Sequence, residues 1–240
     1  MKLCFSTLGC PDWTLTQAIE KGAAYGFDGI ELRIHGDRHI DPSLSTEERK
    51  QIRQLLEAHN LTVPIISGYT QFCTDDMTIL EANARGLLEN AALAADLKTP
   101  YLRTFMGDEA FTPKGAKILR DACDKAYTMG VTVLLETHDA FKTGKKLAEV
   151  INTVDSTGLG ILWDIQHPLS EGELPEDTWK YIGEHTRHVH VRDADQNHCL
   201  MGNGTLPVPH IVKLLLNKGY DGFFSFEWAK TWMPDLEAPK

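Results

Sequence analysis

VTVLLE, residues 131–136, is a run of apolar or β-branched side chains that ends on a carboxylate. A buried strand has little reason to finish on an ionisable group unless several such ends meet around a common charge. The same form recurs three times downstream: GILWD closes on Asp164, HVHV contains His190 and FFSFE closes on Glu227. Asp164 follows Glu136 by 28 residues, His190 follows Asp164 by 26, and Glu227 follows His190 by 37. A strand, a helix and two short connections take about 30 residues, so each interval holds one βα unit. In a barrel of parallel strands the four side chains project from neighbouring strand ends on the same face. Such a meeting of polar groups points to a divalent metal.

The same rhythm extends upstream. LCFST near 3–7, GIELR near 29–33, TVPII near 62–66 and YLRTF near 101–105 read as strands, which makes eight with the four above. Between them lie segments of helical period, such as Ile118, Ala122 and Ala126, and further helices are expected over 144–154, 175–185 and 207–218. Ser45 with Glu48 forms a capping box, and Pro175 precedes Glu176 and Asp177 at a helix start. Gly26, Gly130 and Gly219 stand just past helices, where a left-handed cap wants glycine. Three phrases, YGFDGIEL, MGVTVLLE and KGYDGFFSFE, repeat helix end, glycine, strand, acidic residue. The expected fold class is therefore α/β, a (β/α)8 TIM barrel in one domain over 1–240 with a short tail from about 231, although a doubly wound sheet would share most of the pattern.

Composition bounds the partners. Of 240 residues, 34 are acidic and 24 basic, a formal charge of −10. That sign opposes a nucleic-acid partner, which would be held by cations. Five cysteines, an odd number without CxxC spacing, argue against a disulfide framework and a thiolate zinc site. MKLCFSTLG reads as a strand and not a signal peptide. The expectation is a reduced, cytoplasmic protein with no membrane partner and a small-molecule substrate, its oligomeric state open, a homo-oligomer included.

Two glutamates, an aspartate and an imidazole form an oxygen-rich donor set of intermediate hardness, suited to Mn, Mg, Co or Zn. His188 and His190 share one strand face; His190, nearer the C-terminal end, is the better ligand, and His188 is either a hydrogen-bonded core residue or a binding one. His167, three residues after Asp164, is placed in the loop at the mouth, where it could contact substrate or a second metal. Arg103 inside a barrel wall needs an anion or a carboxylate; substrate and Glu31 are the two partners weighed. His138, two beyond Glu136, and Lys230 in the tail with Trp228 and Trp232 join the candidate substrate contacts. So does the loop at 67–77. MGNGTLP at 201–207 offers backbone amides that could hold a phosphate or a hydroxyl-rich ligand.

TLGCPDW (7–13), GFDGIELR (26–33), LRTFMG (102–107), LLETHD (134–139), WDIQHP (163–168), HVHVRDA (188–194), GNGTLP (202–207) and GYDGFFSFEW (219–228) resemble the xylose isomerase-like TIM-barrel superfamily, in its sugar phosphate isomerase/epimerase branch. The resemblance implies that Glu136, Asp164, His190 and Glu227 bind one divalent cation, that the two glutamates also transfer protons, and that His167 touches substrate. It implies a metal-dependent isomerase or epimerase acting through an enediolate, with a dehydratase on the same residues as the alternative. Ketose 3-epimerases of this type carry a substrate-binding arginine six residues after the metal histidine, where this chain has Gln196. That departure speaks against a free-ketose 3-epimerase and leaves Arg192 to compensate from another angle. Two further classes are weaker. A metabolite binder without chemistry needs no paired glutamates. An endonuclease IV-type nuclease needs histidines on the third and fourth strands that TVPIISGY and YLRTFMG lack, although His198 matches one further ligand of that branch.

Overall fold

The computed structural model describes residues 1–34, 39–195 and 198–239. Its strands are β1 (Lys2–Ser6), β2 (Gly29–Arg33), β3 (Ile65–Ser67), β4 (Tyr101–Thr104), β5 (Thr132–Glu136), β6 (Leu159–Asp164), β7 (Thr186–Val191), β8 (Asp193–Ala194), β9 (His198–Cys199) and β10 (Phe223–Phe226). Strands β1 to β7 and β10 are parallel and close into an eight-stranded barrel in the order β1-β10-β7-β6-β5-β4-β3-β2. β8 and β9 form a small antiparallel pair in the loop after β7. The barrel expected from sequence is the barrel observed, and the doubly wound sheet is excluded by closure of β1 on β10.

The helices are α1 (Leu15–Ala24), α2 (Thr46–Ala58), α3 (Met77–Asp96), α4 (Pro113–Thr128), α5 (Gly144–Val154), α6 (Gln166–Ser170), α7 (Pro175–Ile182) and α8 (Val208–Asn217). Local chemistry sets their ends. Ser45 and Glu48 cap α2 reciprocally, and Pro175 takes the first position of α7, where its missing N–H is not needed. Gly26, Gly130 and Gly219 have φ of 79°, 82° and 83°, the left-handed cap expected of them.

Two elements differ from the sequence reading. TVPII is not one strand: Thr62 makes a lone bridge to Gly29, and β3 starts at Ile65, because Pro64 has no N–H to give the ladder. His167 lies in α6 and not in a loop; the Gln166 amide donates to Asp164 Oδ1 at 2.8 Å, which turns the chain into a helix directly after β6.

The period of two along each strand divides the core. Outward side chains such as Val133, Leu135, Ile161 and Trp163 pack with the helices in one large cluster. Inside the barrel, Ile65, Leu134 and Leu162 form a separate plug with Tyr101 packed against it. Each enclosed aliphatic side chain of the plug contributes about 1.5–3 kcal/mol. One storey up, two residues along the same strands, stand Ser67, Arg103, Glu136 and Asp164. On β3 to β6 the polar storey thus rests on an apolar floor, toward the C-terminal end of the barrel, the end where barrel enzymes carry their chemistry. All five cysteines are free, and among the described residues no helix is long and apolar enough to cross a membrane.

Candidate metal centre

Register brings the four sequence-predicted ligands together. Asp164 pairs with His190 across β6 and β7, and His190 pairs with Ser225 of β10, two residues before Glu227 on the same face. Glu136, Asp164, His190 and Glu227 are all buried, and each offers a ligand atom within 4.8 Å of the others.

The imidazole of His190 is held from below. Glu31 is fully buried and accepts from His190 Nε2 at 2.9 Å, from His188 Nε2 at 3.3 Å, from Ser225 Oγ at 2.8 Å and from Ser67 Oγ. An ionised carboxylate only accepts, so Nε2 of His190 carries the hydrogen and Nδ1 faces the site. His190 Nδ1 has no hydrogen-bond partner, yet lies 3.6 Å from Glu136 Oε1 and 3.5 Å from Glu227 Oε1. A histidine oriented by a carboxylate behind it is the usual outer support of a metal ligand. This orphaned buried nitrogen between two carboxylates is the observation that fits the donor set to a divalent ion. Burial would lower the pKa of His190, but the charges of Glu31 and Glu227 outweigh it and raise that pKa well above the ordinary value.

Cations crowd the same acidic point. Arg192 Nη2 bonds both Asp164 Oδ2 and Glu227 Oε2. Arg103 Nη1 donates to Glu136 Oε2 at 3.0 Å, while its Nε and Nη2 donate to the Gly68 carbonyl at 3.3 Å. The guanidinium of Arg103 also lies 4.8 Å from the Tyr69 ring and 4.4 Å from the Phe105 ring. Burial would raise the pKa of Glu136, but the Arg103 charge and His190 hold it below the carboxylate range. For Asp164, burial is likewise outweighed by Arg192, then by His167.

A cavity of about 300 Å³ opens above this cluster, walled by Tyr69, Phe105, His138, Asp139, His167 and Trp232 among others, with Arg103, Glu136, Arg192 and Glu227 at its base. His138 Nδ1 meets Asp139 Oδ1 at 2.6 Å, and the His138 ring packs edge-on against His167 at 4.8 Å between centroids. Burial lowers the pKa of His138, yet the Asp139 bond and the Glu136 charge raise it overall, whereas burial leaves that of His167 lowered. A larger depression, about 1070 Å³, lies at the opposite mouth under Lys2, Tyr101, Arg187 and Phe223. It contains none of the clustered acids, so volume does not locate the chemistry.

Several sequence expectations are redirected. Arg103 pairs with Glu136, not with Glu31, which the two histidines occupy instead. Glu31 and His188 lie beneath the cavity, where His188 is a hydrogen-bonded core histidine. Lys230 turns its ammonium to the carbonyls of Pro234 and Leu236 within the tail and does not line the cavity, while Trp232 does. Gln196 lies outside the described residues. Sequence reasoning missed Asp139, which orients His138, and Thr137, whose Oγ1 accepts from the Asp164 amide at 2.9 Å. Both sit in LLETHD beside Glu136, the only signal that could have marked them.

The glycine loop at 201–207 is the clearest correction. Its amides hold a carboxylate of the chain itself: Gly202 N and Gly204 N donate to Asp193 Oδ2 at 2.9 and 3.0 Å, and Leu206 N donates to Oδ1 at 3.3 Å. A Cβ at Gly204 would overlap the Asp193 carboxylate, which is why glycine stands there. Asp193→Ala is expected to lower stability by about 2–3 kcal/mol in urea unfolding, since three loop amides lose a charged acceptor. Hydrogen exchange should rise most over 200–206, and a change below about 0.5 kcal/mol would contradict this account of the loop.

The profile of the xylose isomerase-like TIM barrel matches residues 19–239. Fructoselysine 3-epimerase of Escherichia coli O157:H7 is 24% identical, over 97% of this chain and 92% of its own length. Among solved structures, the probable 3-DHS dehydratase AsbF from Bacillus anthracis superposes with a TM-score of 0.79 at 20% identity, covering 95% of this chain and 93% of that one. The IOLI protein with a binding zinc atom gives 0.82 at 18% identity, covering 99% and 92%. At such identities the two structural likenesses speak to the fold.

Proposed function

The chain belongs to the xylose isomerase-like TIM-barrel family, and from that premise we propose that it is a divalent-metal-dependent sugar or sugar-phosphate isomerase or epimerase that transfers a proton through an enediolate. The observation that carries this reading is the pair of buried carboxylates, Glu136 and Glu227, bracketing His190 Nδ1 at 3.6 and 3.5 Å. Epimerisation needs a base on one side of a carbon and an acid on the other. The epimerase name of the 24% identical relative supports the same class.

Glu136, Asp164, His190 and Glu227 would hold the ion, which would act as a Lewis acid toward substrate oxygens and stabilise charge developing beside a carbonyl. The protein's own residues do the rest. Glu136 and Glu227 move the proton. Arg103, pinned by Gly68 and two aromatic rings, fixes Glu136 and keeps it ionised. His167, whose Nε2 is buried at the cavity wall without a hydrogen bond and 3.8 Å from Asp164 Oδ2, would bond a substrate hydroxyl. Phe105, Tyr69 and Trp232 exclude water and face the apolar side of a sugar.

A second reading, loss of a β-hydroxyl from the same intermediate, is favoured by one feature: His138, made more basic by Asp139, stands on the cavity wall where it could protonate a departing hydroxyl. The nuclease reading finds Ser67 and Arg103, not histidines, at the inward ends of β3 and β4. Incubation of the manganese-loaded protein with ketoses and ketose phosphates in deuterated water, followed by proton NMR, tests the proposal. Deuterium is expected at the carbon beside the carbonyl, with an epimer or isomer accumulating. An alkene product would select the dehydratase, and absence of exchange with every bound sugar would select a binder.

A further inference from the structure

We propose that Arg192 is a displaceable clamp, filling the cation seat between Asp164 and Glu227 until a divalent ion takes that seat, then turning its guanidinium into the cavity to grip a carboxylate or phosphate group of the substrate. This rests on the metal-dependent reading above and deepens it by naming an anionic substrate class.

Arg192 and Arg103 differ in how they are anchored. Arg103 uses Nε, Nη1 and Nη2 on Gly68 and Glu136 and is flanked by Tyr69 and Phe105. Arg192 is tied through Nη2 alone, to Asp164 Oδ2 and Glu227 Oε2, and its Nε is buried without a partner. Asp164 and Glu227 belong to the four-residue donor set. An ion bound by that set takes away the contacts that hold the Arg192 guanidinium among the described residues, and Arg192 already borders the cavity.

Charge then points to the ligand. Glu136, Asp164 and Glu227 face Arg103 and Arg192, three carboxylates against two guanidinium groups. A divalent ion and Arg103 together match those three carboxylates, which leaves the Arg192 charge without a carboxylate beside it, and complementarity then favours a substrate that brings a negative group. A freed guanidinium presents the planar fork that suits carboxylate and phosphate oxygens. The glycine loop at 201–207 offers no rival anion site, because its amides already hold Asp193.

The test uses the full-length protein stripped of metal, titrated calorimetrically with manganese and then with inorganic phosphate or D-gluconate, with D-fructose as the neutral control. Tryptophan fluorescence, which senses Trp232 at the rim, gives a second reading. Manganese-loaded wild type is expected to bind one of the two anions at least tenfold more tightly than the metal-free protein. Arg192→Met, loaded with manganese, should lose about ten- to a hundredfold of that affinity, while its own affinity for manganese rises because no guanidinium has to leave. Arg192→Lys keeps the buried charge and the fold, and should keep manganese affinity near wild type with weaker anion binding. The tighter of phosphate and gluconate identifies the source of the anion. Manganese uptake with anion affinity unchanged by both substitutions, or unchanged by the metal, would overturn the clamp alone. Failure of wild type to take up manganese would overturn the metal-dependent reading and the clamp together.

Discussion

Glu136→Gln is expected to slow deuterium exchange and turnover by about 10²–10⁴-fold, the range for loss of one acid–base group, while the barrel stays folded. Glutamine preserves the shape of the side chain and an oxygen for Arg103 Nη1, which lies 3.0 Å from the carboxylate. The Arg103 charge keeps a second carboxylate, Glu227, at 3.9 Å. The cost therefore falls on chemistry more than on folding. Glu136→Ala or Glu227→Ala should go further and remove the metal, which elemental analysis of the purified variants would show. Exchange at the wild-type rate in Glu136→Gln would remove this carboxylate from the mechanism.

Glu31→Ala is expected to cost about 3–5 kcal/mol of stability, the range for stripping one partner from a buried charged network, and about ten- to a hundredfold in metal affinity through misorientation of His190. Its carboxylate is the acceptor shared by His188, His190, Ser67 and Ser225. Burial would raise the Glu31 pKa, but the His190 charge and the two histidine bonds outweigh it and set that pKa well below the carboxylate range. A depressed carboxyl contributes stability that is fully present above its unfolded value of 4.5 and is lost as pH falls through the lower folded value. The raised pKa of His190 acts in the opposite limb: its contribution is fully present below 6.5 and fades as pH rises through the folded value. Metal-free wild type should accordingly be most stable between those limits, and Glu31→Ala should lose much of the acid limb. Urea midpoints followed from pH 3 to 9 would show it; a parallel pair of curves would mean that Glu31 does not act through its charge.

The fold was legible because short β-rich runs recur between segments of helical period, and three of the units also carry a glycine, Gly26, Gly130 or Gly219, at the preceding helix end. The clustering of the candidate ligands was legible for a related reason: VTVLLE, GILWD, HVHV and FFSFE each place an ionisable group toward the same end of the barrel. What spacing does not carry is lateral register. The partner of Arg103 depends on how β4 is staggered against β5, where Arg103 pairs in register with Leu134 and its guanidinium reaches Glu136, two residues further along β5. Nor does composition reveal that an amide-rich loop already holds an anion, since Asp193 reads as one more acid after a strand. The turn of His167 into α6 accompanies a single bond from the Gln166 amide to Asp164 Oδ1, too local for periodicity to register.

Closure of β1 on β10 ties the site to the order in which the chain is made. During synthesis, a nascent chain that has reached Gly222 already carries seven barrel strands, but β1 and β7 are both open edges because the strand they share has not yet emerged. Three of the four acidic-site residues are then present, and Glu227 is not. Unpaired parallel edges are slow to satisfy and prone to pair with other chains. The strand that seals the sheet and the carboxylate that completes the four-residue cluster thus lie within five residues of each other, so barrel closure and assembly of the cluster depend on the same stretch of chain.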